Sequence, residues 1–432
     1  MNQPARKTPA WPSLAVAWLT PRRLPAQAVI FAFCLWGVFA VDFSTAGFFD
    51  RAGNIKFQDF LPFYVSAQLI AQGRAGELYD LRAAANEIEA IVHHASGPQQ
   101  TRILLPNLYG PQVGLVFAPL ARLPFWTAAW LWVVLSMLIF SACILVLWKA
   151  CLSLRPHAGL VAISAIAYPP LWHFFLRGQI SVVALACFTG GFLALRARRT
   201  WLAGIALGFL IFKPQFLMAV PLVLLLGRAW KVLAGLVVSA AAQLAFARLY
   251  FGAAVMHAYF DTMWHMSRWI GAAELNLAPI QMHSLRSFWT LVIPWPHAAL
   301  AIYILSSVFV VAMTAAVWKS SSPLALRFSA LTLAAVLVNA HLFVYDLLVL
   351  APVLLLLVDW TLANPQNPHS NALQLLCYLA FVLPLFGPLS RWTHVQLSVP
   401  VFVALLWIFW RQSANLAATP GHKLASLDSR VV

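Results

Sequence analysis

Charge is scarce in this sequence. Only 9% of its 432 residues are Asp, Glu, Lys or Arg, and 62% are apolar, against about 25% charged in an ordinary soluble domain. With a mean hydropathy of +0.81, the chain cannot cover its own surface with groups that water solvates, so lipid must cover much of it. A soluble enzyme is excluded. Acids are scarcer than bases, 12 against 28. The bases fall in short clusters between long apolar runs, which is a topology signal and an anionic-headgroup contact rather than a nucleic-acid face. Cys34, Cys143, Cys151, Cys187 and Cys377 form no C-x-x-C pair, so neither a disulfide scaffold nor a thiolate metal site is expected. No Gly-rich phosphate loop follows a strand, which disfavours a cytoplasmic nucleotide or nucleotide sugar.

What is present is a series of apolar segments near the length of about 20 residues that crosses a bilayer. Candidate spans are 26–46, 125–149, 157–176, 179–196, 231–251, 296–318, 324–342, 345–360, 372–389 and 396–411. The alternation of a β-barrel is missing, so the fold class is an all-α polytopic integral membrane protein. The first span follows Arg6, Lys7, Arg22 and Arg23 and precedes Val38-Phe39-Ala40, an order also found in signal peptides. Its basic region is long for a signal, so an uncleaved helix with a cytoplasmic N-terminus is expected. Residues 1–24 and 412–432 then read as cytoplasmic tails of one transmembrane domain covering 1–432.

The stretch 201–227 differs from the rest. It has Lys213-Pro214 at its middle and basic clusters on both flanks, Arg196, Arg198 and Arg199 before it and Arg228 and Lys231 after it. Both flanks favour the cytoplasm, and Pro214 removes a helical hydrogen bond. A broken or re-entrant hairpin with Lys213 near its apex satisfies both; a single tilted span with a snorkelling Lys is the alternative. With about ten crossings of that length plus the hairpin, both termini are cytoplasmic, and every acid except Asp359 and Asp428 falls outside. Residues 47–112 form a long first outer loop with interfacial helices expected over 62–73 and 79–95, and 252–295 form a second outer loop.

Candidate chemistry gathers on that outer side. Asp59, just after the first span, suits a general base, although an Asp near a helix start is often an N-cap. Arg177-Gly178-Gln179 lies at an outer junction, where the planar guanidinium fork fits a phosphate and equally fits lipid headgroups. Lys213 near the membrane interior is costly and marks a substrate pathway. His341, five residues from Asp346, can orient a base, bind a hydroxyl or form a structural pair. Asn107-Leu108-Tyr109-Gly110-Pro111 reads as a turn. His257, Asp261 and His265 share a helix face but lack a third convincing ligand, so no metal is expected. Gly204-x-x-x-Gly208 indicates close helix packing.

In order, these pieces resemble glycosyltransferase family 87, polyprenol-phosphate-mannose-dependent α-1,2-mannosyltransferase-like proteins of the GT-C superfamily. The matching residues are Asp59 with Tyr64, Gly73 and Tyr79-Asp80; Tyr109-Gly110-Pro111; Gly178-Gln179; Lys213-Pro214-Gln215; and His341 with Tyr345-Asp346. The resemblance implies a GT-C-like bundle of about 10–12 transmembrane helices. It also implies inverting transfer of a hexose, mannose, from a polyprenyl-phosphate donor to a hydroxyl on a lipid or glycan acceptor. By that resemblance Asp59 is the base and His341 a second catalytic residue. Lys213, Arg177 and Gln179 would hold the donor phosphate, while Tyr64, Tyr79, Tyr345 and Asp346 would contact sugar or acceptor. A bacterial-type inner membrane with an outward-facing site is expected, with membrane lipids, the lipid-linked donor and the acceptor as partners, no nucleic acid, and no metal or other cofactor. A lipid-glycan flippase would predict an inverted repeat, and a ligase or polymerase of lipid-linked glycans would use oligosaccharide donors; both remain as alternative readings.

Overall fold

The computed structural model describes residues 19–20, 23–96, 105–277 and 281–418; most of the expected tails 1–24 and 412–432 lies outside that range. Among the described residues the protein is helical, with only two isolated β-bridges, Phe49–Ile55 and Met282–Phe343. The helices are α1 (Arg23–Phe43), α2 (Leu61–Ala71), α3 (Leu81–Ser96), α4 (Pro111–Phe117), α5 (Phe125–Ala150), α6 (Ala158–Ile166), α7 (Pro169–Arg177), α8 (Ser181–Arg196), α9 (Thr200–Gly208) and α10 (Val220–Leu226). They continue as α11 (Trp230–Leu277), α12 (Leu285–Val292), α13 (Pro296–Lys319), α14 (Leu324–Leu337), α15 (Ala351–Ala363), α16 (Ser370–Val382) and, after a short turn at 390–393, α17 (Ser398–Ala418). One continuous apolar core runs from Phe48 to Phe409.

Six helical segments among the described residues are long and apolar enough to cross a membrane, and a seventh is the pair Arg155–Ile166 and Pro169–Arg177, bent by 44°. The protein is therefore a polytopic all-α membrane protein. The expected spans 179–196 and 324–342 are shorter, 16 and 14 residues as α8 and α14. At 1.5 Å per residue they fall below the ~30 Å of a hydrocarbon core. Each stops where irregular backbone carries polar side chains: α8 begins at Ser181, and α14 gives way to the 338–343 segment with Asn339 and His341. Such backbone is tolerated at membrane depth only inside protein, and α14 is buried on nearly all sides.

Two outer segments differ from expectation. The 62–73 region does not lie as an amphipathic helix on a surface. As α2 it buries Leu61, Phe63, Tyr64, Val65, Ser66, Ala67 and Leu69, because it is apolar all round and such a helix belongs in a core. The 252–295 loop is largely a continuation of α11, which kinks at Gly252 (φ +85°) and runs on to Leu277.

The 201–227 stretch doubles back. Gly204 backs onto Val232 and Gly235, and Gly208 onto Leu236 and Ser239, so α9 and the start of α11 run side by side in the same direction. The chain between them must return to the level it left. The reversal falls at Lys213, whose backbone is non-helical (φ −127°, ψ 74°), directly before Pro214. The ends of the molecule are chemically distinct. At one, Arg196 reaches the Ala150 carbonyl, Asp359 accepts the Ser153 and Leu154 amides, and Arg327 reaches the Trp318 carbonyl. α8 separates that cationic end from Ser181 by 16 residues, about 24 Å of helix.

Candidate active site

At the other end the chain between α1 and α2 folds against the end of α7. The Asp59 and Phe60 amides donate to the Arg177 carbonyl at 3.0 and 3.2 Å, and the Phe57 amide to that of Leu176 at 3.3 Å. Phe57 itself is left-handed (φ +53°), a conformation costing roughly 1–2 kcal/mol for a non-glycine residue. Gly178 closes α7 at φ +68°, and a Cβ there would meet Phe60 Cβ at 2.9 Å; only glycine satisfies both the turn and the approach. This docking fixes the Asp59 side chain. Asp59 does not cap α2, whose start has no side-chain cap.

The carboxylate instead meets Gln179. The Gln179 Nε2 donates to Asp59 Oδ2 at 3.2 Å and to the Tyr345 hydroxyl at 3.3 Å. Its Oε1 accepts the Ile180 amide at 2.8 Å and the Tyr109 hydroxyl at 3.1 Å. Because a backbone amide can only donate, the carboxamide orientation is determined: the nitrogen faces Asp59. Tyr345 also donates to Asp59. Burial pushes the Asp59 carboxyl above the usual carboxylate range, and nearby Arg177, those two hydrogen bonds and Lys213 pull it back.

Below this hub lies a buried ionic cluster. Lys213, at the hairpin apex, pairs with Asp346, and both are almost fully enclosed. Lys213 Nζ also donates to Ser181 Oγ at 2.9 Å and sits 5.2 Å from the Tyr345 ring centre. Ser181 Oγ donates to Asp346 Oδ1 at 2.5 Å, and the Phe343 amide to Oδ2 at 3.3 Å. Lys213 is thus close to Asp59 on the same end of the protein, but its charge is already matched by Asp346. It presents no free ammonium to a donor phosphate, and Asp346 has little capacity left for a sugar hydroxyl.

Arg177 is the half-buried cation beside Asp59. Its guanidinium bonds two neutral groups, Gln58 Oε1 at 2.6 Å and Gln281 Oε1 at 3.4 Å, so its charge is not cancelled by an acid in contact. His341 is half-buried with its ring edge-on to Phe343 at 4.8 Å. Burial lowers its imidazole to about 4, with Lys213 and Arg286 adding and Asp346 opposing, so it is neutral near pH 7. Tyr64 is drawn elsewhere, to the Leu123 carbonyl at 2.6 Å, and Tyr79 holds the Tyr109 carbonyl at 2.7 Å.

Sequence reasoning gives no site role to three contributors. Tyr109 reads as part of a turn and of the family resemblance, but it and Ser181 act through partners 70 and 165 residues away, a separation that leaves no local sign of that role. Arg286 is half-buried next to His341 and has no side-chain hydrogen bond or ion pair among the described residues. An Arg in an aromatic-rich outer segment was the available signal. Of the His257, Asp261 and His265 set, Asp261 and His265 are an exposed pair at 3.2 Å.

A polytopic helical membrane protein with a buried carboxylate at Asp59, an uncancelled guanidinium at Arg177 beside it, and a second guanidinium, Arg286, near His341 has the equipment of a group-transfer enzyme acting on a membrane-borne substrate. The sequence model of glycosyltransferase family 87 matches residues 107–344, more than half the chain. The chain belongs to glycosyltransferase family 87 and is a membrane glycosyltransferase. The matched region includes Tyr109, Gln179, Lys213 and His341 and stops short of Asp59, Tyr345 and Asp346. No curated protein and no solved structure matches the chain.

Proposed function

We propose that the protein transfers a hexose, mannose by family resemblance, from a polyprenyl-phosphate donor to a hydroxyl on a lipid or glycan acceptor, with inversion, at the outward face of a bacterial-type inner membrane. The observation that carries this reading is Asp59: one carboxylate, made more basic by burial, held by Gln179 and Tyr345 a short way from an uncancelled guanidinium.

Asp59 takes the proton of the acceptor hydroxyl as its oxygen attacks the anomeric carbon. The bond from that carbon to the phosphate oxygen breaks on the opposite face, and prenyl phosphate leaves with the electron pair. A carboxylate has about four lone-pair sites, and two of Asp59's are engaged, so it can also accept from a substrate. Such a base contributes roughly 10²–10⁴ in rate. Negative charge growing on the phosphate is met by Arg177 and Arg286, placed before reaction begins, which is often the largest catalytic contribution. This reading moves the phosphate role from Lys213 to the two arginines and makes Gln179 a positioning residue for Asp59. A single base and a cationic leaving-group site fit inversion, whereas retention uses two carboxyls about 5–5.5 Å apart. Neutral His341 suits hydrogen bonding to a sugar hydroxyl.

The test is transfer from polyprenyl-phosphate hexoses in proteoliposomes. Asp59→Asn should lose about two or more orders of magnitude while purifying as a monodisperse protein. Full activity in that variant would sink the assignment.

A further inference from the structure

A cavity lies in the half of the molecule away from Asp59, among the helices that lead to the cationic end. It has a volume of about 330 Å³ and opens between α1 and the pair α15–α16. α1 supplies Leu24, Ala28 and Phe31, α6 supplies Leu160, Val161 and Ser164, and α16 supplies Gln374, Cys377 and Phe381. The reaction at Asp59 uses none of these residues. α1 is thinly attached here: it buries only Ala28, Ala32 and Leu35, and the bond from the Tyr378 hydroxyl to Gln27 Oε1, at 2.9 Å, ties it to α16.

The length of the cavity matches one leaflet. On α15 its wall runs from Ala351 to Leu362, about 16 Å at 1.5 Å per residue, which is half of a ~30 Å hydrocarbon core. The Leu362 end is the cationic one, where Asp359 accepts the Ser153 and Leu154 amides. At the inner end Tyr168 and Phe381 stack with ring centres 5.5 Å apart, and the Tyr168 hydroxyl is taken by the Leu347 carbonyl at 2.7 Å. Aliphatic and aromatic side chains make most of the wall, and a space of that kind stays dry. Left empty, it would forfeit packing contacts on every side. Hydrocarbon is what fits it.

The mouth adds charge. Leu154 and His157 line the cavity and bracket Arg155 in sequence, while Arg23 directly precedes Leu24 on α1. Arg155 is exposed, and its guanidinium bonds only a neutral group, the Lys149 carbonyl, at 3.1 and 2.7 Å. Asp359, the acid on α15, has Oδ1 engaged by the two backbone amides. Basic pockets between spanning helices recognise anionic lipid heads. We infer that this cavity holds an acyl chain of an anionic glycerophospholipid, with the phosphate at Arg155 beside Arg23, and that the lipid wedges α1 against the bundle. A prenyl phosphate has the same two parts, but a sugar carried on it must reach Asp59, and α8 alone sets the two ends about 24 Å apart. The site therefore stands apart from the transfer reaction and does not depend on which donor is used.

The purified full chain would be photolabelled with a phosphatidylglycerol carrying a diazirine on one acyl chain, and the labelled residues mapped by mass spectrometry. Labelling should saturate and centre on the cavity wall at 24–31, 160–168 and 374–381. Unlabelled phosphatidylglycerol should displace it about fivefold more readily than phosphatidylcholine of the same chains, the worth of one cation near the surface. Arg155→Gln, at an exposed position, should remove most of that preference and keep the labelling. Ser164→Leu fills part of the space and should reduce the labelling itself; should that variant fail to fold, the preference lost in Arg155→Gln still decides. Labelling that does not saturate, equal displacement by the two lipids, labelling unchanged in folded Ser164→Leu, or stronger displacement by a polyprenyl phosphate would each overturn the inference.

Discussion

Asp59 is held in a state that costs stability. Its carboxyl is raised by burial, so the folded protein binds that proton more tightly than the unfolded chain. The associated stability is present at pH values below the unfolded pKa and is lost as pH rises through the folded one. At neutral pH the ionised side chain is therefore a burden on the fold, retained for reaction. Asp59→Asn should keep or raise the midpoint of thermal unfolding while transfer is lost; a marked fall in that midpoint would mean Asp59 is structural. The same shift sets the acid limb of the pH–rate profile, which should lie above the usual carboxylate range. Since Arg177 is the largest of the influences pulling Asp59 down, Arg177→Gln should move that limb to higher pH as well as weaken donor use. A limb that stays in place would separate Arg177 from Asp59. His341, at about 4, is neutral on the physiological side and should add no limb there. Lys213 teaches a different lesson. Lys213→Met leaves Asp346 as an unmatched buried charge, a loss of about 3–5 kcal/mol. Replacing both, as Lys213→Met with Asp346→Leu, should recover much of that stability, and chemical denaturation of the two variants decides it.

The hairpin α9–α10 was legible because three signals agreed: a Lys inside an apolar stretch, a Pro beside it, and cations on both flanks. Its packing was legible too, in Gly204 and Gly208, whose missing side chains let α9 lie directly on α11. Gly204→Leu should push the two apart and carry Lys213 out of register with Ser181 and Asp346. Loss of folded protein in detergent is the expected result, and normal yield with normal transfer would show that the contact is dispensable. What was not legible follows from distance. Nothing around Lys213 announces Asp346, 133 residues away, and nothing around Tyr64 announces the Leu123 carbonyl that takes its hydroxyl. An apolar stretch such as 62–73 reads the same whether lipid or protein surrounds it, so α2 could be found by composition but not buried by it. The run of α11 past Gly252 was hidden for the opposite reason: its Trp, His and Met content resembles an interfacial loop, while its helical hydrogen bonds leave no trace in composition.

At the scale of the whole molecule the two ends differ in net charge, and the difference carries a prediction of direction. Arg196, Arg198, Arg199, Arg228, Lys231, Lys319 and Arg327 lie at the end opposite Asp59 with Asp359 as the acid among them, whereas at the Asp59 end Arg51, Lys56, Arg74, Arg82 and Arg177 are offset by Asp42, Asp50, Glu77, Asp80, Glu87 and Glu89. Basic residues in short loops set orientation by resisting transfer across the membrane, and acids contribute little to it. The cationic end should therefore stay in the cytoplasm, leaving Asp59 on the far side, where a prenyl-linked sugar and its acceptor can meet without a soluble nucleotide. Cysteine labelling decides this, because Cys34 is exposed and the other four cysteines are buried, so Cys34→Ser provides a quiet background. In that background Glu89→Cys should react with a membrane-impermeant maleimide on intact cells. Arg199→Cys, exposed at the other end and in an ordinary backbone conformation, should react only after the membrane is opened. The reverse pattern would place the carboxylate in the cytoplasm, and the donor would then have to be one that faces that compartment.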